Sequence, residues 1–130
     1  MKAKILTPHG SVFDGDVLGV QMPGVNGGLE VLKNHSPLVA LLEVGKLIVR
    51  FQDDEDLRFA VSTGFAEVQD NEVMVMVEEA ASPDDIDLNH EKERKARIQE
   101  ELKQQKIDTP EYIHLSKQLD IVKNKIALAQ

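Results

Sequence analysis

The sequence predicts an α+β protein in which an N-terminal antiparallel β-sandwich is followed by a C-terminal antiparallel hairpin of two helices. All eight glycines lie between Gly10 and Gly64, so turn chemistry is confined to the first half. Beyond the turn signature Ser82-Pro83-Asp84-Asp85, the composition changes to helix formers. We therefore assign residues 1–84 to the sandwich and 85–130 to the hairpin.

The strands are predicted from short β-branched runs that are bounded by turn residues, a spacing typical of a β-sandwich or flattened barrel. One of these runs, Val73 to Val77, is apolar on both faces. We expect it to be covered from two sides, by the second sheet or by a packed helix. The seven runs are Lys2–Thr7, Ser11–Phe13, Asp16–Met22, Leu38–Leu41, Lys46–Phe51, Leu57–Ser62 and Glu72–Glu78.

Two helices are predicted after the sandwich. The first runs from near Asp87 to about Gln105, and its middle has almost no apolar residues, so it has no core of its own to hold it. The second follows Asp108-Thr109-Pro110-Glu111, a sequence with a capping side chain, a first-turn proline and an early Glu.

The second helix carries one apolar stripe with a 4-3-4-3 spacing. The stripe has two interpretations: it packs on Ile98 and Leu102 of the first helix in a simple hairpin, or it packs on another protein. The two can hold in different conformational states. The stripe consists of Leu115, Leu119, Val122, Ile126 and Ala129.

Charge and composition exclude several classes of function. The formal net charge is −8, divided into −9 over residues 1–85 and +1 over residues 86–130. Neither part has the basic face that binds nucleic acid, so no nucleic-acid partner is expected. Apolar runs fall far short of the roughly 20 residues that cross a bilayer, and no secretory signal is present, so we expect a cytoplasmic protein without direct membrane insertion. Zero cysteines exclude disulfides and thiolate chemistry.

No pattern in the sequence predicts a catalytic, metal or cofactor site. The four histidines lack metal-ligand spacing, and neither a nucleophile elbow nor a phosphate-binding loop occurs. The glycine-rich stretch from Gly24 to Gly28 is interpreted as a turn, and the acidic run from Asp53 to Asp56 as a solvated hairpin tip. The sequence therefore favours an interaction protein over an enzyme.

Several ordered motifs resemble one family. They begin with Phe13-Asp14-Gly15-Asp16-Val17 and the turn Pro23-Gly24, and continue with Asn34-His35-Ser36-Pro37-Leu38 leading to Gly45. Together with Gly64-Phe65-Ala66-Glu67-Val68 and Asn71-Glu72-Val73-Met74-Val75, they are similar to the epsilon subunit of F-type ATP synthases. The resemblance extends from about Met1 to the end of the chain.

The resemblance implies a ten-stranded sandwich and a non-catalytic subunit of the central stalk, the rotor that couples ion flow to ATP synthesis. Such subunits grip gamma with one face of the sandwich, rest a turn region on the membrane c-ring, and lie peripherally at the cytoplasmic face of the inner membrane. The implied ring contact falls between Val25 and His35. An alternative for Asn34 to Pro37 is a rigid turn. The candidate contact residues are Gly27, Gly28, Leu29, Val31, Leu32 and His35.

The resemblance also implies that the helical hairpin is a regulatory arm. In the family it lies folded on the sandwich or extends along gamma into the alpha–beta head, where it inhibits ATP hydrolysis. The candidate arm residues are the cations Arg94 and Arg97 and the stripe residues Leu115, Leu119, Val122 and Ile126. Alternatively, the cations are helix-surface charges that are paired with nearby Glu residues.

Some bacterial relatives bind ATP through an I-D-x-x-R-A motif at the start of the first helix. Here Ile86 and Asp87 match it, but His90 replaces Arg and Glu91 replaces Ala. A mostly neutral imidazole and an added carboxylate both disfavour an anionic ligand, so no cofactor is expected.

Two other classes of protein remain as alternatives. One is a free-standing nucleotide-sensing or small-molecule-binding sandwich with a helical lid. The other is an enzyme, which would need convergent polar groups that no spacing in the sequence predicts.

Overall fold

A computed structural model describes the whole chain, residues 1–130, as ten strands followed by two helices. A short 3-10 turn, Pro83–Asp85, separates the strands from the helices. The helices are α1, Leu88–Lys103, and α2, Pro110–Ala129. The strands are β1 Lys2–Thr7, β2 Gly10–Asp16, β3 Gly19–Met22, β4 Leu29–Leu32, β5 Leu38–Leu42, β6 Gly45–Arg50, β7 Leu57–Val61, β8 Gly64–Gln69, β9 Glu72–Val77 and β10 Ala80–Ala81.

The strands form two five-stranded sheets. Sheet A has the order β2-β1-β9-β8-β5, and sheet B has the order β10-β7-β6-β3-β4. Neighbouring strands are antiparallel except β1 and β9, which pair in parallel from Lys2 opposite Glu72 to Leu6 opposite Met76. The predicted fold class and the ten strands implied by the family resemblance are confirmed, with this one parallel pair as a departure.

The core lies between the inward faces of the two sheets. It contains 16 buried residues, most of them β-branched, which pack well on a pleated surface. In β9 the inward residues are Val73, Val75 and Val77, whereas Met76 on the other face is 39% exposed. The expectation that this strand is covered from both sides is therefore wrong for the isolated chain, because no helix lies on the outer face of sheet A.

Glycine is required at two turns for different reasons. Gly27 in the β3–β4 turn has a φ of 120°, a conformation that side chains rarely adopt. Gly64 begins β8 so close to β9 that an added Cβ would overlap the carbonyl oxygen of Met76. The second case is a packing constraint between two backbones.

Capping side chains fix where both helices begin. The carboxylate of Asp87 accepts a hydrogen bond from the His90 amide at 3.1 Å, and the hydroxyl of Thr109 accepts one from the Tyr112 amide at 3.2 Å. Pro110 occupies the first turn of α2, where a missing amide proton costs nothing. The predicted helix positions hold to within about two residues.

The apolar stripe of α2 packs on α1, as the simple-hairpin interpretation predicts. Ile98, Val122 and Ile126 are buried together. The residues packed around these three are Leu88, Leu102, Leu115 and Leu119. This cluster is far smaller than the core of the sandwich.

The hairpin lies on the outer face of sheet B, where α2 contacts β6 and β7. Ile48 and Ala60 are buried, although neither belongs to the core between the sheets. The Asn124 amide donates to the carbonyl of Gly45 at 2.7 Å, and Lys125 pairs with Glu79 at 3.0 Å. The molecule thus has three layers, with helices over sheet B and nothing over sheet A.

No helix of the chain is both long enough and apolar enough to cross a membrane.

Candidate interaction surfaces

The residues predicted to contact the rotor ring lie at two ends of one strand. Gly27 and Gly28 are exposed in the β3–β4 turn, and half-buried Leu29 begins β4. Leu32 ends β4 and is 50% exposed, with exposed His35 beyond it. Leu29 and Leu32 are separated by about 10 Å at the usual rise per strand residue. The structure thus divides the candidate set into a turn group and a far-end group.

Val31 does not belong to either group. Its side chain is completely buried and belongs to the core between the sheets. It faces Val20 across β3, because successive strand residues point to opposite faces and the exposed Leu32 takes the outer side. The prediction that Val31 contacts the ring directly is therefore corrected. Its side chain is buried and stabilises the strand that presents the turn.

Hydrogen bonds hold the segment from Asn34 to Pro37 against a second turn. The amide of Asn34 donates to the side chain of Asn71 at 2.9 Å, and both residues have positive φ, 63° and 61°. His35 Nδ1 lies 2.7 Å from the carbonyl oxygen of Ser36. These contacts support the interpretation as a rigid turn, while direct contact through the exposed His35 side chain stays a prediction.

The uncovered outer face of sheet A carries a row of apolar side chains across four strands. Leu41 lies opposite Phe65, Phe65 opposite Met76, and Met76 opposite Leu6. Leu41 is 67% exposed, and Val39, two residues earlier on the same face, is 69% exposed. A contiguous exposed apolar row of this kind marks a protein interaction surface. We call Leu6, Val39, Leu41, Phe65 and Met76 the open face.

The open face was not predicted as a site from the sequence. A signal was present, because β5 and β9 are apolar at consecutive positions and not only at alternate ones. Periodicity reports that both faces of a strand are apolar, but it does not report what covers the second face. The second face of β9 was expected to be covered by another part of the chain, and no helix or strand covers the outer face of sheet A.

The predicted arm residues divide into buried and exposed groups. The stripe of α2 is turned toward α1, with Val122 fully buried and Ile126 8% exposed. Arg94 pairs with Glu91 at 3.5 Å, which agrees with the surface-charge interpretation for this cation. Arg97 is exposed and makes no ion pair, so it is free to meet a partner.

The remnant of the ATP motif, Ile86, Asp87 and His90, lies at the start of α1, where Asp87 has a structural role. The Asp87 carboxylate caps α1, which explains an Asp at this position without any nucleotide. Ile86 is half-buried, and the His90 side chain is exposed.

The acidic run from Asp53 to Asp56 lies exposed between β6 and β7, as predicted for a hairpin tip. Arg50 ties this tip to sheet B. Its guanidinium bonds Asp56 and Glu30, each at 3.0 Å, and donates to Gln21 at 2.8 Å. These contacts fix strand positions and do not create a binding site.

A cleft of about 760 Å³ lies between α2 and one end of the sandwich. Its lining carboxylates are those of Glu43, Glu78, Glu79 and Asp120, and its one lysine is Lys117. No three His, Asp or Glu side chains of the chain come together in a way that could hold a metal ion. The cleft contains no nucleophile paired with a general base.

Comparisons with known proteins identify the class of the sandwich. The family model for the beta-sandwich domain of the ATP synthase delta/epsilon chain matches residues 1–83. This span contains all ten strands of the two sheets. The N-terminal part is therefore a sandwich of the ATP synthase delta/epsilon class.

Curated relatives extend the match into the helices. The chain is 34% identical over 129 residues to the ATP synthase epsilon chain of Halalkalibacterium halodurans, covering 99% of this chain and 96% of that protein. It is 36% identical to the epsilon chain of Alkalihalophilus pseudofirmus, with coverage of 86% and 84%. The chain belongs to the ATP synthase epsilon chain family, and the resemblance seen in the sequence is confirmed.

Solved structures share the fold. One chain in the structure of the Euglena gracilis mitochondrial ATP synthase with its F1 and c-ring has a TM-score of 0.84 and 21% identity, covering 98% of this chain and 80% of that one. One in the Tetrahymena thermophila central stalk and c-ring structure has a TM-score of 0.70 and 16% identity, covering 100% and 96%. The fold thus recurs at low sequence identity.

Proposed function

We propose that the chain is a non-catalytic subunit of the central stalk of an F-type ATP synthase, peripheral at the cytoplasmic face of the inner membrane. It turns with the rotor and couples ion flow through the c-ring to ATP synthesis in the head. The single observation that carries the proposal is the open face, because a sandwich with an uncovered apolar sheet requires a partner. Family membership indicates which assembly supplies that partner.

The gamma subunit is the occupant proposed for the open face. The hairpin already covers sheet B, so sheet A is the face of the sandwich that remains available. Phe65 lies within the row and Leu41 lies beside it on the edge strand β5, and these two residues are the proposed anchors. Large apolar side chains near the middle of an interface usually supply most of its binding energy.

The β3–β4 turn is proposed to rest on the c-ring. Gly27 and Gly28 are exposed there, with Val25 beside them at 50% exposure. Val31 and the hydrogen-bonded strands behind it make the turn a rigid support, which suits a part that transmits torque. The far-end residues Leu32 and His35 are proposed as a second, separate contact, since they lie about 10 Å from the turn.

The hairpin, residues 85–130, is proposed as a regulatory arm attached to a sandwich of residues 1–84. Few interactions hold it to sheet B, among them those of Asn124 and Lys125. In the released state the stripe of α2 would exchange α1 for a surface of the alpha–beta head, where Arg97 is free to pair with acidic groups. The arm would then inhibit ATP hydrolysis.

The experiment is reconstitution with the cognate gamma subunit and alpha–beta head. We expect the full chain to join the complex through gamma, and removal of residues 86–130 to raise ATP hydrolysis without loss of joining. Joining with unchanged hydrolysis would retain the stalk role and refute the inhibitory arm. Failure of the full chain to join would refute the central-stalk proposal.

A second candidate function is a small-molecule-binding module, and the cleft of about 760 Å³ beside α2 is the observation that favours it. Its excess of carboxylates disfavours nucleotides and other anions. Calorimetric titration of the isolated chain with ATP tests this candidate. Binding in the micromolar range would support it, and absence of heat at millimolar ATP would remove ATP as its ligand.

A further inference from the structure

Glu91 occupies an unusual place in the hairpin. The face of α1 that meets α2, here called the seam, carries residues with a 3-4-3-4 spacing, which aligns them along one side of a helix. Ile98 is buried in the seam, and its neighbours Leu88 and Leu102 pack against the same cluster. In order, the seam positions are Leu88, Glu91, Lys95, Ile98 and Leu102.

The carboxylate of Glu91 is buried without full compensation. The residue is 7% exposed, and its Oε2 has no hydrogen-bond partner. Arg94 Nη1 lies 3.5 Å from that oxygen, which satisfies a distance criterion for an ion pair. Charge-assisted hydrogen bonds are shorter, about 2.7–2.9 Å, so the pair does not replace the lost water. Glu91 is thus a desolvated charge with a weak partner.

Such a group opposes the state that buries it. Leaving a charged acceptor unsatisfied costs free energy comparable to what the burial of one aliphatic side chain supplies. The hairpin cluster has only three buried residues, against 16 in the sandwich, so one opposing group is large compared with the free energy that holds the hairpin closed. A carboxylate exposed on the surface of the sandwich keeps its water and therefore has no such cost.

We propose that Glu91 is a built-in destabiliser of the closed hairpin. When α1 separates from α2, its carboxylate regains water, so the charge favours the open arrangement and sets how often the helices part. A difference in free energy between two states is what shifts their populations. Glu91 also lies in the first turn of α1, where the helix dipole favours a carboxylate, but a separated α1 keeps that interaction.

Hydrogen exchange of the α1 amides in the full chain tests this proposal. We expect Glu91→Leu to slow exchange about tenfold, equivalent to about 1.4 kcal/mol of added protection. Glu91→Gln, which removes the charge but keeps a polar group, should slow it by less. Glu93 is exposed on the same helix, and the matched variants Glu93→Leu and Glu93→Gln should change exchange less than about twofold.

Two results would overturn the proposal. One is unchanged or faster exchange in Glu91→Leu, which would show that the carboxylate is neutral or stabilising in the closed hairpin. The other is equal slowing in Glu93→Leu, which would assign the effect to helix propensity. If Glu91→Leu aggregates, Glu91→Gln decides by the same criterion. The experiment contains no other subunit, so its outcome is independent of the central-stalk proposal.

Discussion

At the scale of single residues, close contacts between backbones constrain the sandwich in addition to its apolar core. Gly64 shows this most clearly, because its own φ requires no glycine but its neighbour in β9 leaves no room for a Cβ. The nearest atoms are backbone atoms of Met76 and Val77, which lie in a central strand of sheet A and cannot swing away as a side chain could. A methyl group at Gly64 therefore has to move one strand against another.

We expect Gly64→Ala to lower the free energy of unfolding by about 3 kcal/mol, at the upper end of the usual cost of overpacking. Urea denaturation measures it. Gly28→Ala is the matched control, because the nearest atom to an added Cβ there is the carbonyl oxygen of Met22 at 3.9 Å. The control should change stability by less than about 1 kcal/mol. Equal losses in both variants would contradict the steric explanation.

At the scale of elements, local patterns locate strands and helices well where one residue type dominates. β1 and both helix starts follow from β-branched runs and capping side chains. β4, β8 and β10 lie outside the seven runs predicted from the pattern. β4 has only Val31 buried among four residues, β10 has only two residues, and β8 begins with a glycine and has only Ala66 and Val68 buried. β10 pairs with β7, with Ala80 opposite Val61, so no short window of sequence contains its partner. β4 pairs with the strand just before it and is missed because it is short.

The candidate site was predictable only in part, because some of its features depend on how strands pair and not on local sequence. The turn of Gly27 and Gly28 is visible locally, since adjacent glycines favour a tight turn. The alternation that buries Val31 and exposes Leu32 is set by register with β3, which the sequence does not display. The open face joins residues of four strands, so only the assembled sheet reveals it.

Asn124 is the element-scale contact that holds α2 on sheet B. Its amide reaches the carbonyl oxygens of Gly45 and Val61 at 2.7 and 3.4 Å. We expect Asn124→Ala to accelerate hydrogen exchange of α2 amides about tenfold, because a part-buried hydrogen bond to two strands is lost. Amides of β9 should be unaffected. Lys123→Ala, at an exposed neighbouring position, is the control, and an equal acceleration there would refute the assigned role.

At the scale of the whole molecule, the two sheets have unequal surroundings. Sheet B has the hairpin on its outer side, whereas sheet A presents its outer side directly. Sheet A is thus available to a partner whether or not the hairpin lies on sheet B, so the proposed gamma site and the proposed arm use opposite faces of the sandwich.

We expect Phe65→Asp to abolish co-purification with the gamma subunit while the chain stays folded, because the side chain is already 38% exposed and lies at the centre of the open face. A charge buried in an apolar interface is costly. Leu57→Asp is the control, since Leu57 is 41% exposed on sheet B. Undiminished association of Phe65→Asp, with far-ultraviolet circular dichroism unchanged, would remove the open face as the gamma site.

The parallel pairing of β1 with β9 has a consequence for how the molecule folds. It joins residues 70 positions apart in sequence, whereas the helical hairpin is built from near neighbours. Long-range pairing slows folding, because the entropy cost of closing a large loop comes before any stabilising contact forms. During synthesis the N-terminal strand must wait for residues 72–77 to leave the ribosome before sheet A can form. The strand that emerges first can pair with β2, which follows it directly, but it gains its second neighbour only when β9 has been made.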